Sequence, residues 1–246
     1  MQVTSQELVS RSLPVQCILG TSTSSSVGSS RMRPLRVERD ETICPAIVKL
    51  MQNADNSNRR YADLFPLSAG AQFCPSEDAE KAQLATHALN PINQLLIARG
   101  STAKWEVGGE AIQKPPAPGI AVVDSGEESS SKVGPNWPTR FPDFGLILRS
   151  TTPDGYDVRY IVPGEVKKDT VIAKACNGES DFDIVRAYNS SRGQLAQNVL
   201  SQLYEYLCAS DANWGILASY PHMFVVRRQE DVLQVSCSDC GICSCC

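Results

Sequence analysis

The chain has 246 residues, a formal net charge of −4, 42% hydrophobic and 20% charged residues, which describes a globular protein long enough for one sizeable core. No apolar run approaches the length of a bilayer-spanning helix, so no membrane partner is expected. The acidic balance removes the argument that a strongly basic total would give for nucleic acid, and leaves only a local basic stripe to make it.

Residues 1–40 read as a disordered Ser/Arg-rich tail. Ser22 to Ser26 is all Ser and Thr, and up to Arg36 Glu7 is the sole acid against Arg11, Arg31, Arg33 and Arg36. An organelle transit peptide shares this composition, but no clear amphipathic helix is visible. Leu13 to Gly20 is interrupted by Pro14 and Gln16 and makes a poor signal-peptide core. The expected location is therefore intracellular, nuclear or cytoplasmic, with a mitochondrial address as the transit-peptide alternative.

A domain is expected over 41–230. Ile43, Ile47, Leu50 and Met51 have helical spacing. Ser76 followed by Glu77, Asp78 and Glu80 is an N-cap with acids in the first turn. That helix is expected to run to about Ala98, to be kinked or split at Pro91, and to stop at Gly100. Trp105 to Ile112 alternates loosely, as a first strand would. Residues 113–139 read as loop, with Ile120 to Val123 as an edge strand or hairpin end.

Phe144 to Leu148 is a compact apolar run, Pro153-Asp154-Gly155 is a turn signal, and Val158, Tyr160 and Val162 alternate up to Lys168. Together they predict a β-hairpin. Ala187 to Ala209 gives the best helix, with Leu195, Val199, Leu203 and Leu207 on one line and Gln194, Asn198, Gln202 and Tyr206 on the next. Trp214 to Leu217 and Met223 to Val226 are two short strands around Tyr220-Pro221. The predicted class is α/β (α+β), a central mixed sheet flanked by helices.

Alternate residues of a strand share a face, so Glu165 and Lys167 project together while Val166 turns inward. Asp143, at the open end of the hairpin, is expected opposite them. Two converging carboxylates make a hard-oxygen site suited to Mg²⁺ or Mn²⁺. Such an ion would lower the pKa of a bound water, and Lys167 would orient that water or stabilise developing charge. A Glu and a Lys two apart on a strand are more often a solvated pair; the hairpin, the preceding Pro142 and the following helix are what favour a site. Asp154 belongs to a second Pro-Asp pair, but Gly155 marks it as turn.

Pro142-Asp143 with Gly164-Glu165-Val166-Lys167 resembles the PD-(D/E)XK nuclease superfamily over roughly residues 77–228. Gln202-Leu-Tyr-Glu-Tyr206 is similar to the Gln-xxx-Tyr motif of the RecB-like branch, and the general style resembles nuclease-like domains of fungal proteins. The resemblance implies a restriction-endonuclease-like core and a Mg²⁺-dependent nuclease acting on DNA or RNA, or a nuclease-fold binding module without turnover. It makes Asp143 and Glu165 metal ligands, Lys167 the catalytic lysine and Gln202 a neighbour of the site. A helix acid often joins the metal; Glu80 matches best by position, with Glu77 behind it. Arg140, Lys168, Lys174, Arg186 and Arg192 are candidate phosphate contacts.

Ten cysteines are present, five of them in a Cys-rich tail over 231–246: Cys237, Cys240, Cys243, Cys245 and Cys246. Their spacing suits soft metals. They also resemble the C-terminal cysteines of iron–sulfur nucleases, with Cys74 as the upstream fourth ligand; a cluster is the lesser expectation beside a plain reactive tail. Cys17, Cys44, Cys74, Cys176 and Cys208 are expected to be reduced and mostly buried. His87 and His222, the two histidines, fall in no catalytic motif.

Overall fold

The structure, a computed structural model, describes residues 34, 36–54, 76–108, 142–153, 155–176, 183–219 and 222–236, and the backbone of four short strands. Those strands form two small ribbons: β1 (Gln2–Val3) pairs antiparallel with β4 (Tyr61–Ala62), and β2 (Cys17–Leu19) pairs parallel with β5 (Gln72–Cys74). The remaining order is β3 (Arg36–Arg39), α1 (Ile43–Ala54), α2 (Glu77–Leu84), a π-helical turn (Ala85–Leu89), α3 (Asn90–Ala98), β6 (Lys104–Val107), β7 (Phe144–Thr152), β8 (Gly155–Val166), α4 (Asp169–Ala175), α5 (Ile184–Tyr188), α6 (Gln194–Ser210), β9 (Trp214–Ser219), β10 (His222–Gln229) and β11 (Val232–Val235).

Seven of the strands make one mixed sheet in the order β3-β11-β10-β9-β8-β7-β6. The expected hairpin is present as the antiparallel pair β7–β8, with a register shift between Leu146 and Ile147. β9 then runs parallel to β8, a crossover that α6 supplies. Alternation along the strands separates two faces. Leu217, Phe224, Val226, Leu233 and Val235 join Val199, Leu203 and Leu207 of α6 in the larger core. Val166, Ala218 and Phe144 pack with Leu84, Ala88 and Leu89 of the α2–α3 segment in the smaller one. Helices thus flank the mixed sheet, as the apolar spacing predicts.

Ser76 caps α2: its side chain accepts the Ala79 N–H at 3.2 Å. Pro91 does not split the rod. It has no N–H to offer the carbonyl four residues back, and the π-helical turn just before it opens the ladder enough for the helix to continue to Ala98.

Several boundaries differ from expectation. The helix expected from Ala187 is two helices, because Gly193 folds the chain back so tightly that a Cβ there would strike the Ala187 carbonyl. The strand expected through Lys168 ends at Val166, and α4 begins at once. The strand expected from Trp105 is four residues long, Lys104–Val107. Arg36–Arg39, placed in the tail, is an edge strand parallel to β11, itself placed in the Cys-rich tail. Each has only four residues, too short for alternation to stand out from its polar surroundings. Cys44 is disulfide-bonded, against the expectation of reduced cysteines, while Cys176 and Cys208 are not in disulfides. Ile120 to Val123, Asp154, Tyr220-Pro221 and the five terminal cysteines lie outside the described residues, so the iron–sulfur expectation does too. No helix among the described residues is long and apolar enough to cross a membrane.

Candidate active site

The open end of the β7–β8 hairpin is shaped by its aromatic residue. Phe144 and Gly164 are register partners, and a Cβ on Gly164 would fall inside the Phe144 ring. The ring therefore lies flat across the strand just before Glu165, an arrangement only glycine permits. Phe144 is 1% exposed and leans on Trp105 with ring centroids 6.0 Å apart.

Asp143 precedes β7 and clasps β8 directly. Its Oδ2 accepts the Val166 N–H at 2.9 Å, while its own backbone carbonyl accepts the Gly108 N–H at 2.9 Å. The carboxylate is thereby fixed beside the peptide that separates Glu165 from Lys167. Those two side chains share the face opposite Val166, and the Lys167 ammonium is bonded to Glu165 Oε1. Both residues are 1% exposed. The Lys167 N–H is held by the Ala218 carbonyl at 2.9 Å, which extends the β8–β9 pairing past the end of β8. The structure thus brings together Asp143, Glu165 and Lys167, as the hairpin reading predicts.

Burial pushes the Glu165 carboxyl up to about 7; Lys167 opposes this and the nearby Asp143 charge adds to it. The Tyr206 hydroxyl lies against the same carboxyl, and burial raises the phenol further above its ordinary value. Gln202 donates from Nε2 to the Tyr206 hydroxyl at 2.9 Å. Gln202 therefore acts on Glu165 through Tyr206, which is the nearer neighbour of the site. The pairing repeats along this polar line, since Gln194 donates to Asn198 at 2.8 Å. Two buried oxygens, Glu165 Oε2 and Gln202 Oε1, make no well-formed hydrogen bond.

Glu80 is also 1% exposed but has different company. Its carboxyl accepts the Asp169 N–H at the start of α4. Burial pushes it up to about 8, with the Asp169 and Glu77 charges adding and Lys168 opposing. Its Oε2 lacks a well-formed hydrogen bond. Asp169 is raised by burial too, and His222 opposes that from 3.8 Å. Glu80 thus sits with Lys168 and Asp169, the two residues after the triplet. Lys168 is buried beside Glu80 rather than presented as a surface phosphate contact. Lys174, Arg186 and Arg192 are exposed, and Arg140 lies outside the described residues.

Sequence reasoning missed Lys81. Its Nζ lies 2.7 Å from Asp143 Oδ1 and 3.4 Å from Glu77 Oε1. Burial by itself would lower the lysine, but Asp143 and Glu77 outweigh it and hold it above its ordinary value. One signal was available. Lys81 follows Glu77 by four and Asp78 by three, the spacing at which helix side chains pair, which marks it as a held cation but does not record its meeting with Asp143.

No family model, curated protein or solved structure matches this chain. What the site can do must therefore be argued from its chemistry. Among the described residues no set of three His, Cys, Asp or Glu side chains is arranged as a metal cage. Two carboxylates remain at the hairpin mouth, one clasped to backbone and one with a buried oxygen lacking a donor. An ionised carboxylate and an amide oxygen only accept, so the buried Glu165 Oε2 and Gln202 Oε1 each suit a cation, a water or, on Glu165, the carboxyl's own proton.

Proposed function

We propose that this protein is a divalent-metal-dependent phosphodiester hydrolase acting on nucleic acid. The observation that carries the proposal is the convergence of Asp143, Glu165 and Lys167 at the mouth of one hairpin, with Glu165 Oε2 buried and unmatched. The order α2–α3, β6, β7, β8, α6 and β9, with the short helices α4 and α5 inserted before α6, supports it, being the succession of helix, three strands, helix and strand that the PD-(D/E)XK resemblance implies.

Asp143 and Glu165 would hold Mg²⁺ or Mn²⁺. Mg²⁺ commonly takes only one or two carboxylates and completes its shell with water and substrate phosphate, so two protein carboxylates are enough for it. A bound ion would acidify a water and offset charge gathering on the phosphate. Lys167 positions the attacking water and stabilises the charged transition state. Tyr206 holds the Glu165 carboxyl, and Gln202 holds Tyr206. Glu80, engaged with the start of α4, positions the segment that follows the triplet.

A second reading has its own support. Lys81 already neutralises Asp143 and Lys167 already neutralises Glu165. A site balanced in this way also suits a nuclease-fold module that binds without turnover. Full-length protein incubated with labelled DNA and RNA in Mg²⁺ or Mn²⁺ separates the two. Cleavage by the wild type that falls at least ~100-fold in Lys167→Ala supports hydrolysis. No cleavage of either polymer by either protein, with binding retained in a polarisation assay, supports the module.

A further inference from the structure

Lys81 has no part in the chemistry proposed above, yet its side chain, 20% exposed, meets the carboxylate of Asp143. Asp143 has two oxygens. Val166 N–H occupies Oδ2 at 2.9 Å and Lys81 Nζ occupies Oδ1 at 2.7 Å. The ammonium thus covers the oxygen that the backbone leaves open. The same Nζ is 3.4 Å from Glu77 Oε1 and 3.7 Å from Asp78 Oδ1, one turn back on α2. Glu77 is shielded, with its side chain 17% exposed. Lys81 therefore has a second anionic seat within reach of its last rotatable bonds. An ammonium is a compact charge with freely rotating donors and changes partner without rearranging its stem. Lys167 differs: its bond to Glu165 is buried on both sides.

We propose that Lys81 is a built-in competitor for the metal, seated on Asp143 in the metal-free protein and shifting to Glu77 and Asp78 when a divalent ion binds. This rests on Asp143 and Glu165 being the metal ligands. The device keeps Asp143 neutralised while the metal is absent, and it weakens metal binding, because the ion must displace a charge of its own sign. Lys81 is thus a positioning residue and not a catalytic one.

Binding of Mn²⁺ alone to the full chain, followed by the electron paramagnetic resonance of the free ion, tests this without any turnover. Lys81→Met keeps the stem and removes the charge. It is expected to bind Mn²⁺ about tenfold more tightly than wild type, since one unshielded like charge near the ion is worth about that factor, while its urea midpoint falls. Lys81→Arg should keep wild-type affinity. Glu77→Gln with Asp78→Asn removes the second seat and should weaken Mn²⁺ binding. A folded Lys81→Met protein with unchanged or weaker affinity overturns the proposal. If Lys81→Met does not fold, unchanged affinity in the Glu77→Gln, Asp78→Asn protein overturns it. Absence of Mn²⁺ binding in wild type and Lys81→Met alike removes the metal site itself, and the competitor with it.

Discussion

Leu217 and Glu165 are register partners on neighbouring parallel strands, and neither is more than 1% exposed. Leu217 belongs to the apolar interior beneath α6, with Val199, Leu203 and Phe224 around it. Glu165 to Asp169 are all buried, and of these five residues only Val166 is uncharged. The two regions are equally hidden and chemically opposite. The first is stabilised by removing hydrocarbon from water, roughly 25 cal/mol per Å². The second pays desolvation for each charge and recovers it only through partners. A fold keeps such a stretch where chemistry needs it, supported by apolar packing next door.

The largest effect should come from unbalancing the charged run. Glu165→Ala leaves Lys167 as a buried ammonium without its anion and should cost about 3–5 kcal/mol in urea unfolding. Adding Lys167→Met to that variant should restore much of the loss. A single substitution that costs under about 1 kcal/mol would show that this pair is not desolvated and would erase the contrast.

The apolar side is tested by truncation. Leu203→Ala, at 0% exposed in the larger core, should cost about 3–5 kcal/mol. Leu84→Ala, at 5% in the smaller one, should sit near the low end, about 2–3 kcal/mol. Equal midpoint shifts would mean that the two cores contribute alike.

A smaller, pH-dependent effect follows from Glu80. Its folded value, about 8, lies above the ordinary 4.5. The folded state therefore binds the proton more tightly, and stability falls as pH rises from about 4.5 to about 8. Glu80→Gln should flatten that slope and gain on the wild type at the alkaline end. A urea midpoint that declines equally in both proteins across this window would assign the slope elsewhere. The smallest change is at the cap: Ser76→Ala should cost about 1 kcal/mol, read as a lower thermal midpoint.

The parts of this contrast that were legible in the sequence are those carried by local patterns. The apolar line Val199, Leu203, Leu207 gave α6, the Ser76 cap gave the start of α2, and the Pro-Asp-Gly turn with flanking alternation gave the hairpin and so the meeting of Asp143 with Glu165 and Lys167. Other parts depend on contacts between distant residues, which no local period records. Lys81 meets Asp143 only because α2 folds against the hairpin mouth. Glu80 matched by position alone, and its partner turned out to be the start of α4. That helix was hidden because Lys168 and Asp169 extend the charged run and look like a strand's polar end.

β3 pairs with β11, so the first strand of the seven-stranded sheet is completed by its last. The two are separated by residues 40–231. During synthesis Arg36–Arg39 must wait, without its ladder, until Val232–Val235 has left the ribosome. Closure of that margin is consequently a late event in the life of each new molecule. A nascent chain stalled before residue 232 keeps an open strand edge, and quality-control factors have that interval in which to find it.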